Sequence, residues 1–375
     1  MNLSDIKHTI THHLINIPGW HTKRKIVVIE SDDWGSIRMP SRKIYKECLR
    51  SGYPVDRNPY ERFDSLASKE DLELLFNLLL EFKDHRGVNP IITANCVVAN
   101  PDFEKIKEND FQQYFFELIT TTFQKYPEHS NNLNIWKEAN NSHLFHPQYH
   151  AREHLNVSKF MKDLQNKNED VLYGFQKQMP GCIRKGKEKN GNFYVEATYY
   201  DSAEDKHDKL NIYKEGLTIF NDLFGYNSES IIPPNYTWDE EFDKEISKMN
   251  VKYIQGIRKM RQPCIGKKPI YKKRYLRQNN KYNQINLVRN VFFEPTLTQN
   301  NNQVNKTLMQ IEAAFRMKKP AIISSHRINY VGYIDKSNRD KNLFLLKKLL
   351  NAILRKWPDV EFMTSDELGK LIIAH

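Results

Sequence analysis

The stretch that most constrains the fold is a short apolar run that ends in two adjacent carboxylates. It reads KIVVIESDDWGSIRMP, from Lys25 to Pro40, and its β-branched start is typical of a buried strand. Asp32 and Asp33 would then lie at the carboxyl end of that strand, where parallel α/β folds bind their ligands. Two like charges so close raise one pKa unless a cation intervenes, so the pair predicts a metal ion or a shared proton. A turn in which one of the acids caps the next helix is the alternative interpretation.

Strand and helix patterns alternate about eight times along the remaining sequence. Strands are predicted at 26–29, 90–98, 144–149, 193–200, 230–234, 251–256, 320–325 and 360–364. Helices are predicted at 41–52, 68–86, 111–140 (two helices), 158–176, 205–224, 239–249, 301–319, 339–356 and after Ser365. This alternation favours an α/β fold in which a parallel sheet, closed or nearly closed into a barrel, is covered by helices.

The 375 residues suit one large barrel with insertions. No internal repeat and no long linker divides the sequence. We therefore expect a single elaborated domain over 1–375, with an N-terminal extension at 1–24. A hairpin insertion is predicted at about 266–288, with its turn at 278–280.

Composition excludes disordered and membrane-spanning proteins. Hydrophobic residues make up 39% and charged residues 27% of the chain, as in folded soluble proteins. No apolar run approaches the roughly 20 residues that span a bilayer, and the N-terminus is too polar for a signal peptide. We expect a cytoplasmic protein whose four cysteines are reduced, because they form no CxxC pair.

The formal net charge of +11 raises the question of a polyanionic partner. The densest basic stretches are 184–189 (RKGKEK) and 267–277 (KKPIYKKRYLR). Solvated loops explain such stretches in a sequence rich in lysine and asparagine, so no nucleic acid is expected as a partner. An anionic carbohydrate would be attracted by the same charge.

A histidine pair forms the second cluster, in the sequence His150-Ala151-Arg152-Glu153-His154. Histidines four apart on a helix share one face and can bind one metal ion, most readily Zn²⁺. Asp33 can supply the third ligand and leave a position for water. His146 extends the series, but Pro147 disfavours a helix that contains it, so His150 and His154 are preferred.

The same five residues match HxxEH, the signature of inverted zinc peptidases, with Glu153 as general base. A peptidase leaves the acidic pair of the first strand unexplained and is kept as a minor alternative. A surface helix with incidental histidines is the structural alternative.

The third cluster surrounds His326, in the sequence IISSHRINY from Ile322 to Tyr330. A histidine at the carboxyl end of a late buried strand would face the barrel mouth. Its ordinary pKa of about 6.5 suits the protonation of a leaving group near neutral pH. A structural role is the alternative.

The order of these clusters, with a proline-rich strand end between the second and third, resembles the polysaccharide deacetylase family. These NodB-like carbohydrate esterases belong to the superfamily of glycoside hydrolase and deacetylase barrels. The resemblance extends from about Ile26 to Leu368 and is greatest to a divergent bacterial branch associated with surface-polysaccharide genes. It implies a distorted (β/α)7 barrel that removes acetyl groups from N- or O-acetylated sugars.

The resemblance also implies individual roles. Asp32 would be the general base and His326 the general acid, while one divalent metal ion, most simply Zn²⁺, would be bound by Asp33, His150 and His154. A backbone N–H near Tyr236 would bind the oxyanion. Further substrate contacts are expected from Pro234, Asn235 and Trp34, with Tyr149, Trp238 and Tyr330 as other candidate stacking faces.

The sequence departs from the family pattern at the first three motifs. Glu30-Ser31-Asp32-Asp33-Trp34 replaces Thr-Phe-Asp-Asp-Gly, and Ala151 stands where Ser or Thr is usual. The motif at 232–236 (IPPNY) keeps the prolines and the aromatic residue but lacks the arginine that orients the base. Arg289, near the end of another strand, is the candidate replacement.

Three hypotheses follow. The first is a metal-dependent hydrolase that removes acetyl groups from a carbohydrate, with anionic and lipid-linked substrates both open. The second is a metal-independent glycoside hydrolase that uses Asp32 or Asp33 with a distant Glu. The third is a non-catalytic barrel that binds glycans or polyanions.

Overall fold

A computed structural model describes residues 12–180, 194–298 and 302–374. In chain order its strands are β1 (Lys25–Trp34), β2 (Ile92–Val97), β3 (Ala99–Pro101), β4 (Phe116–Leu118), β5 (Phe145–Ala151), β6 (Ser230–Ile231), β7 (Tyr253–Gly256), β8 (Lys259–Gln262), β9 (Ile270–Lys273), β10 (Ile285–Val288), β11 (Val291–Phe292), β12 (Ala321–His326) and β13 (Val360–Met363).

The helices alternate with these strands. They are α1 (Arg42–Arg50), α2 (Pro59–Phe63), α3 (Lys69–Leu80), α4 (Phe103–Glu108), α5 (Ile119–Gln124), α6 (Asn132–Asn141), α7 (Val157–Gln165), α8 (Glu169–Gln176), α9 (Ala203–Phe224), α10 (Asp243–Ser247), α11 (Pro295–Thr298), α12 (Gln303–Arg316), α13 (Lys336–Lys356) and α14 (Ser365–Ile373). Short 3₁₀ turns occupy Pro127–His129, Pro234–Tyr236, Glu240–Phe242 and Arg327–Asn329.

Nine strands form the central sheet, in the order β10-β7-β6-β5-β2-β1-β12-β11, with β13 also paired to β1. Every pairing in this sheet is parallel. Along one edge, β1 pairs with β12. Along its other edge, the first half of β1 pairs with β13 and the second half with β2. The predicted α/β barrel of parallel strands with outer helices is confirmed.

The chain itself crosses the seam between the two ends of this sheet. β10 and β11 are the end strands, and they are joined by Arg289 and Asn290. The Arg289 N–H donates to the carbonyl of Gly256 (2.9 Å), and the Asn290 N–H donates to that of Ile322 (3.2 Å). These bonds link the connection to β7 on one side and to β12 on the other, and the Arg289 side chain is fully buried.

Local chemistry accounts for where several elements begin. Ser68 and Asp71 form a reciprocal capping box at the start of α3. The predicted helix at 158–176 is instead two helices, since Lys167 adopts a left-handed φ of 54° and Asn168 caps α8. The first helical pattern of 111–140 forms the short strand β4 followed by α5, and the second forms α6.

Two strand predictions were wrong. The described part of 193–200 forms no strand; its Thr198 hydroxyl donates to the carbonyl of Thr237 (2.5 Å), and Tyr200 donates to Asp239. The hairpin predicted at about 266–288 is displaced. β9 pairs with β8 as an antiparallel hairpin, whereas β10 is a parallel strand of the main sheet.

Some expectations concern residues outside the described ranges, namely the first eleven residues of the N-terminal extension, Cys182 and the basic stretch at 184–189. None of the described cysteines is in a disulfide. Within the described ranges, no helix combines the length and apolarity needed to cross a bilayer. The single-domain organisation stays a prediction.

Candidate metal centre and its cavity

A bulge at the end of β1 turns two consecutive carboxylates toward the same cavity. Side chains alternate between the faces of a regular strand. Here the register with β2 shifts between Ser31 and Trp34, and Asp33 adopts a left-handed φ of 73°. An extra residue that re-aims its neighbour is a known use of bulges beside functional sites. Both Asp32 and Asp33 therefore line the cavity.

A second bulge lies at the same level of the sheet, on β5. Cys96 of β2 pairs with Tyr149, but the next residue, Val97, pairs with Ala151, so His150 is the inserted residue. His154 follows in the loop after β5. The predicted helix over these histidines is wrong, yet their rings still meet, with centroids 4.9 Å apart.

Among the described residues, Asp33, His150 and His154 form a cluster that could hold a metal ion. One potential ligand atom from each lies within 4.8 Å of the others. Asp33 Oδ1 is 3.6 Å from His150 Nε2 and 3.3 Å from His154 Nε2. Two ligands about 2 Å from one tetrahedral ion lie roughly 3.3 Å apart. The spacing therefore fits a single divalent ion.

The protonation pattern also fits a cation. His150 Nδ1 lies 2.7 Å from the carbonyl oxygen of Ile232, which can only accept, so Nδ1 carries the proton. In the neutral ring Nε2 then carries a lone pair, and this nitrogen is buried without a hydrogen-bond partner. Burial lowers the pKa of His154 to about 3, although the charge of Asp33 opposes this shift. The low pKa keeps the His154 ring neutral. A buried lone pair facing a carboxylate is stabilised by a metal ion.

Asp32 is held in a different way. Burial alone would raise its pKa, but the charge and hydrogen bonds of Arg289 outweigh this effect and lower the pKa to about 2. The Arg289 guanidinium donates to both Asp32 oxygens, at 2.7 Å each, and Asn95 Nδ2 donates to Oδ1 at 2.8 Å. Arg289 also donates to Glu30, so one fully buried cation orients two acids. Asp32 is thus an ionised, fixed carboxylate.

His326 lines the same cavity as the candidate metal ligands. Its Nε2 is 3.7 Å from Asp32 Oδ2, and its Nδ1 is 2.6 Å from Glu294 Oε1. Burial would lower the pKa of His326, but the nearby carboxylates, Glu294 first, raise it well above the ordinary value. Asn329 donates to the other Glu294 oxygen at 2.8 Å. His326 is therefore protonated and able to donate a proton from Nε2.

These groups line one cavity of about 220 Å³. Its wall mixes carboxylates, imidazoles and amides with methionine and proline side chains. The lining residues are Asp32, Asp33, Arg38, Met39, Asn58, Tyr60, Glu61, His150, His154, Met179, Pro180, Val195, Pro233, Asn235, Tyr236 and His326. Such a wall can hold a small polar group beside an apolar one.

Several residues expected at the site lie elsewhere. Trp34 is 1% exposed and packs edge-on against Trp136 and Phe145. Pro234 is buried and does not line the cavity, although its neighbour Pro233 does. The other candidate stacking residues, Tyr149, Trp238 and Tyr330, are buried core residues.

The region at 232–236 also differs in detail from expectation. The Tyr236 N–H donates to the carbonyl of Pro233 at 3.0 Å, so this N–H is not available to an oxyanion. Asn235 and Tyr236 both have a φ of 51°, and their side chains line the cavity. The Tyr236 hydroxyl accepts from Arg289 at 3.1 Å.

His146 is remote from the cluster. Its Nδ1 is 2.8 Å from Asn140 Oδ1, and its Nε2 is 3.3 Å from Asp366 Oδ1. The HxxEH alternative needs a helix that these residues do not form. Glu153 accepts from the guanidinium of Arg152 at 2.6 and 2.8 Å. Glu153 is therefore paired rather than positioned as a free base.

Asn95, Glu294, Arg38, Tyr60 and Glu61 were missed by the sequence analysis. Asn95 and Glu294 do leave a signal, because each is a polar residue that interrupts or ends an apolar strand pattern, in PIITANCVV and VFFE. The other three lie on the loop after β1 and on the short helix α2. No periodicity distinguishes them.

No protein-family model and no curated protein sequence matches the chain. Solved structures match at low identity. A candidate polysaccharide deacetylase from Mycobacterium smegmatis is 8% identical, with a TM-score of 0.46 over 95% of this chain and 93% of that one. The α-amylase AmyC from Thermotoga maritima is 9% identical, with a TM-score of 0.45 over 92% and 74%.

A 4-α-glucanotransferase from Thermococcus litoralis is 11% identical, with a TM-score of 0.43. The match covers 92% of this chain but spans only 40% of the glucanotransferase. At these identities and TM-scores the similarity assigns no activity to the chain. Function has to be argued from the site.

Proposed function

We propose that the protein is a metal-dependent hydrolase that removes acetyl groups from a carbohydrate. The observation that supports this most is the cluster of Asp33, His150 and His154, whose potential ligand atoms are close together and include the buried, unpartnered Nε2 of His150. Asp32 and His326 line the same cavity and supply an ionised carboxylate and a protonated imidazole. The carbohydrate part of the proposal rests on the resemblance of the sequence motifs to polysaccharide deacetylases.

A Zn²⁺ or similar ion bound by these three residues would supply Lewis-acid activation of a water molecule and of the acetyl carbonyl. Asp32 accepts the proton of the attacking water. Its pKa of about 2 makes it a weak base, but Arg289 and Asn95 fix its orientation and keep it ionised at neutral pH. The protein therefore contributes to the proton transfer through the fixed position of Asp32 rather than through its basicity.

His326 donates its Nε2 proton to the departing amine or alcohol. Glu294 keeps Nδ1 hydrogen-bonded throughout, so the proton that leaves is the one that faces the cavity. Each of the two proton transfers is expected to contribute on the order of 10² to 10⁴ in rate. Amide and ester substrates both fit this scheme, because either leaving group needs a proton.

Glu61 favours a second candidate function, a metal-independent glycoside hydrolase. It lines the cavity, and burial raises its pKa to about 7, although the charge of Arg38 opposes the shift. A protonated carboxyl that shares a cavity with ionised Asp32 and Asp33 is the acid and carboxylate combination of glycosidases. This alternative leaves the buried lone pair of His150 unexplained.

Acetate release and chain cleavage distinguish the two candidates. Purified protein would be incubated with N-acetylated chito-oligosaccharides and with O-acetylated xylan, with and without a chelator. We expect acetate without new reducing ends, no acetate after chelation, and recovery when Zn²⁺ is restored. New reducing ends in the presence of chelator would instead establish the glycosidase with Glu61 as acid. Binding of these glycans without either product would indicate the non-catalytic barrel.

The exposed residue His207 on α9 offers a matched control for the metal ligands. His207→Ala should release acetate like the wild type, whereas His150→Ala should release none. Equal activity of the two variants would contradict the proposed metal centre.

A further inference from the structure

The β8–β9 hairpin and its flanks, residues 257–275, carry basic charge without a single acidic residue. This segment, called the hairpin arm below, holds eight cationic residues: Arg258, Lys259, Arg261, Lys267, Lys268, Lys272, Lys273 and Arg274. Three of them pair with two carboxylates outside the arm, Arg261 with Glu196, and Lys272 and Arg274 with Glu240. Among the described residues, Lys259, Lys267, Lys268 and Lys273 have no carboxylate within 4 Å.

Two of these lysines stand directly opposite each other. Lys259 on β8 is the register partner of Lys273 on β9, and both side chains are exposed. Like charges at directly opposed positions of an antiparallel pair destabilise it. An anion bound across the two ammonium groups would remove that repulsion.

Exposed apolar side chains accompany the lysines. Ile265 is 49%, Ile270 46% and Tyr271 67% exposed, all at or beside the turn of the hairpin. The turn also holds Lys267 and Lys268, so aliphatic, aromatic and ammonium groups share one end of the arm. Aliphatic side chains offer nucleic-acid bases neither hydrogen bonds nor a flat face, but they gain from burial at the boundary of lipid headgroups and acyl chains.

The composition of this end matches an interfacial anchor. Lysines reach anionic headgroups on flexible stems while their methylenes remain with apolar neighbours. Tyrosine is enriched at membrane–water interfaces. We propose that the hairpin arm binds the surface of an anionic lipid bilayer, with Ile265 and Ile270 inserted below the headgroups and the unpaired lysines on the lipid phosphates.

The arm rises from the face of the barrel on which the cavity opens. It follows the carboxyl end of β7, and the Trp238 N–H donates to the carbonyl of Arg261 at 2.8 Å. The turn that ends at Tyr236, just before this bond, lines the cavity. Binding through the arm therefore brings the cavity to the lipid surface. If the proposed hydrolase function holds, a lipid-linked carbohydrate becomes the favoured class of substrate.

Co-sedimentation of the full-length protein with vesicles tests the binding without reference to activity. Vesicles of phosphatidylcholine alone would be compared with vesicles that also contain phosphatidylglycerol. We expect binding to the anionic vesicles only, weakened by salt. Lys267→Gln with Lys268→Gln should weaken it by about fivefold per lysine. Ile265→Ser with Ile270→Ser should abolish most binding although the net charge is unchanged.

Matched variants on other faces keep the test specific. Lys83→Gln with Lys341→Gln removes the same charge from exposed positions outside the arm, and Leu80→Ser with Phe344→Ser removes exposed apolar side chains. Both controls should bind anionic vesicles like the wild type.

Absence of vesicle binding by the wild type would overturn the proposal. So would vesicle binding that the serine pair leaves unchanged, because the arm would then be a general polyanion surface. Binding to a short DNA duplex or heparin that the serine pair does not affect, without vesicle binding, would assign the arm to that class of partner. None of these outcomes depends on whether the cavity hydrolyses acetyl groups, so the two proposals fail separately.

Discussion

Asp32 and Asp33 are adjacent in the chain and have different electrostatic partners. Asp33 faces two imidazoles, while Asp32 faces a guanidinium. Burial would raise the pKa of each carboxyl, but the neighbouring side chains lower it in both cases. The repulsion between the two acids is thus relieved separately at each of them. In the proposed function, Asp33 binds the metal ion and Asp32 accepts the proton.

Replacing Asp32 with Asn separates these roles. The change removes the proton acceptor but keeps an oxygen for Arg289, so acetate release should fall by about 10² to 10⁴. The metal content should not change, because Asp32 is outside the ligand cluster. Rate measurements beside elemental analysis check both points, and loss of the metal from this variant would show that the roles are assigned to the wrong residues.

Glu294→Gln tests the state of His326. Because Glu294 holds the pKa of His326 above its ordinary value, this imidazole keeps its proton as pH rises through neutrality. Loss of the carboxylate charge should lower that pKa, so the alkaline fall in kcat/KM should move to lower pH in the variant. Measurement of kcat/KM against pH detects the shift. An alkaline limb in the same place would mean that His326 is not the acid.

The sequence alone predicts the acids and histidines of the candidate site better than it predicts the residues that surround and orient them. Acids at a strand end, paired histidines and a late strand histidine stand out as patterns, and the structure gathers Asp32, Asp33, His150, His154 and His326 around one cavity. Their roles stay predictions. Arg38 and Glu61 belong to no periodic pattern. Trp34 was expected at the cavity, but its place beside the motif does not tell whether its side chain packs into the core or faces the cavity.

At the scale of elements, the bulge in β5 explains why the spacing of the two histidines wrongly predicted a helix. An i, i+4 pair suggests a helix, but the insertion at His150 in β5 and the turn to His154 bring the rings together by another route. Bulges depend on pairing with β2, which is distant in sequence. A pattern read along one segment cannot contain that information.

The packing of α9 on β5 provides an element-scale prediction. A Cβ on Gly216 would lie 2.0 Å from the Tyr149 hydroxyl and 2.8 Å from Arg152 Cβ. Gly216→Ala gains about 1 kcal/mol of helix propensity, but overpacking costs about 1–3 kcal/mol and more at such short contacts. We therefore expect net destabilisation, measured by urea unfolding.

Thr218→Ala, at an exposed position of the same helix, should change the free energy of unfolding by less than about 0.5 kcal/mol. A Gly216→Ala variant as stable as this control would contradict the close packing of α9 against the strand that carries His150.

The hairpin error has a similar physical origin. The pattern at 266–288 contains a turn signal at 278–280, and the chain reverses just beyond it, between Asn279 and its antiparallel bridge partner Ile285. Strand pairing decides which segments lie side by side. Ile270–Lys273 pairs with Lys259–Gln262, and Ile285–Val288 joins the parallel sheet beside β7. Local turn chemistry predicts a reversal but not which strands it joins.

For the molecule as a whole, the site connects segments that are far apart in the sequence. Arg289 at the seam donates to Glu30 and Asp32 of β1. The three candidate metal ligands come from β1, β5 and the loop after β5. A ligand that binds only when these parts are assembled stabilises the entire fold.

Metal binding should therefore raise global stability. At free Zn²⁺ a thousandfold above the dissociation constant, the free energy of unfolding should increase by about 4 kcal/mol. Chemical denaturation with Zn²⁺ and with chelator measures the difference. His150→Ala should show no such gain and His207→Ala the full gain. Identical unfolding of the wild type in both conditions would mean that no such site forms.

Elemental analysis of untagged protein purified without chelator tests the central claim most directly. Wild type and His207→Ala should each carry one divalent transition metal ion per chain, and His150→Ala should carry none. A wild type without metal, or a His150→Ala variant that retains it, would contradict a centre built from Asp33, His150 and His154.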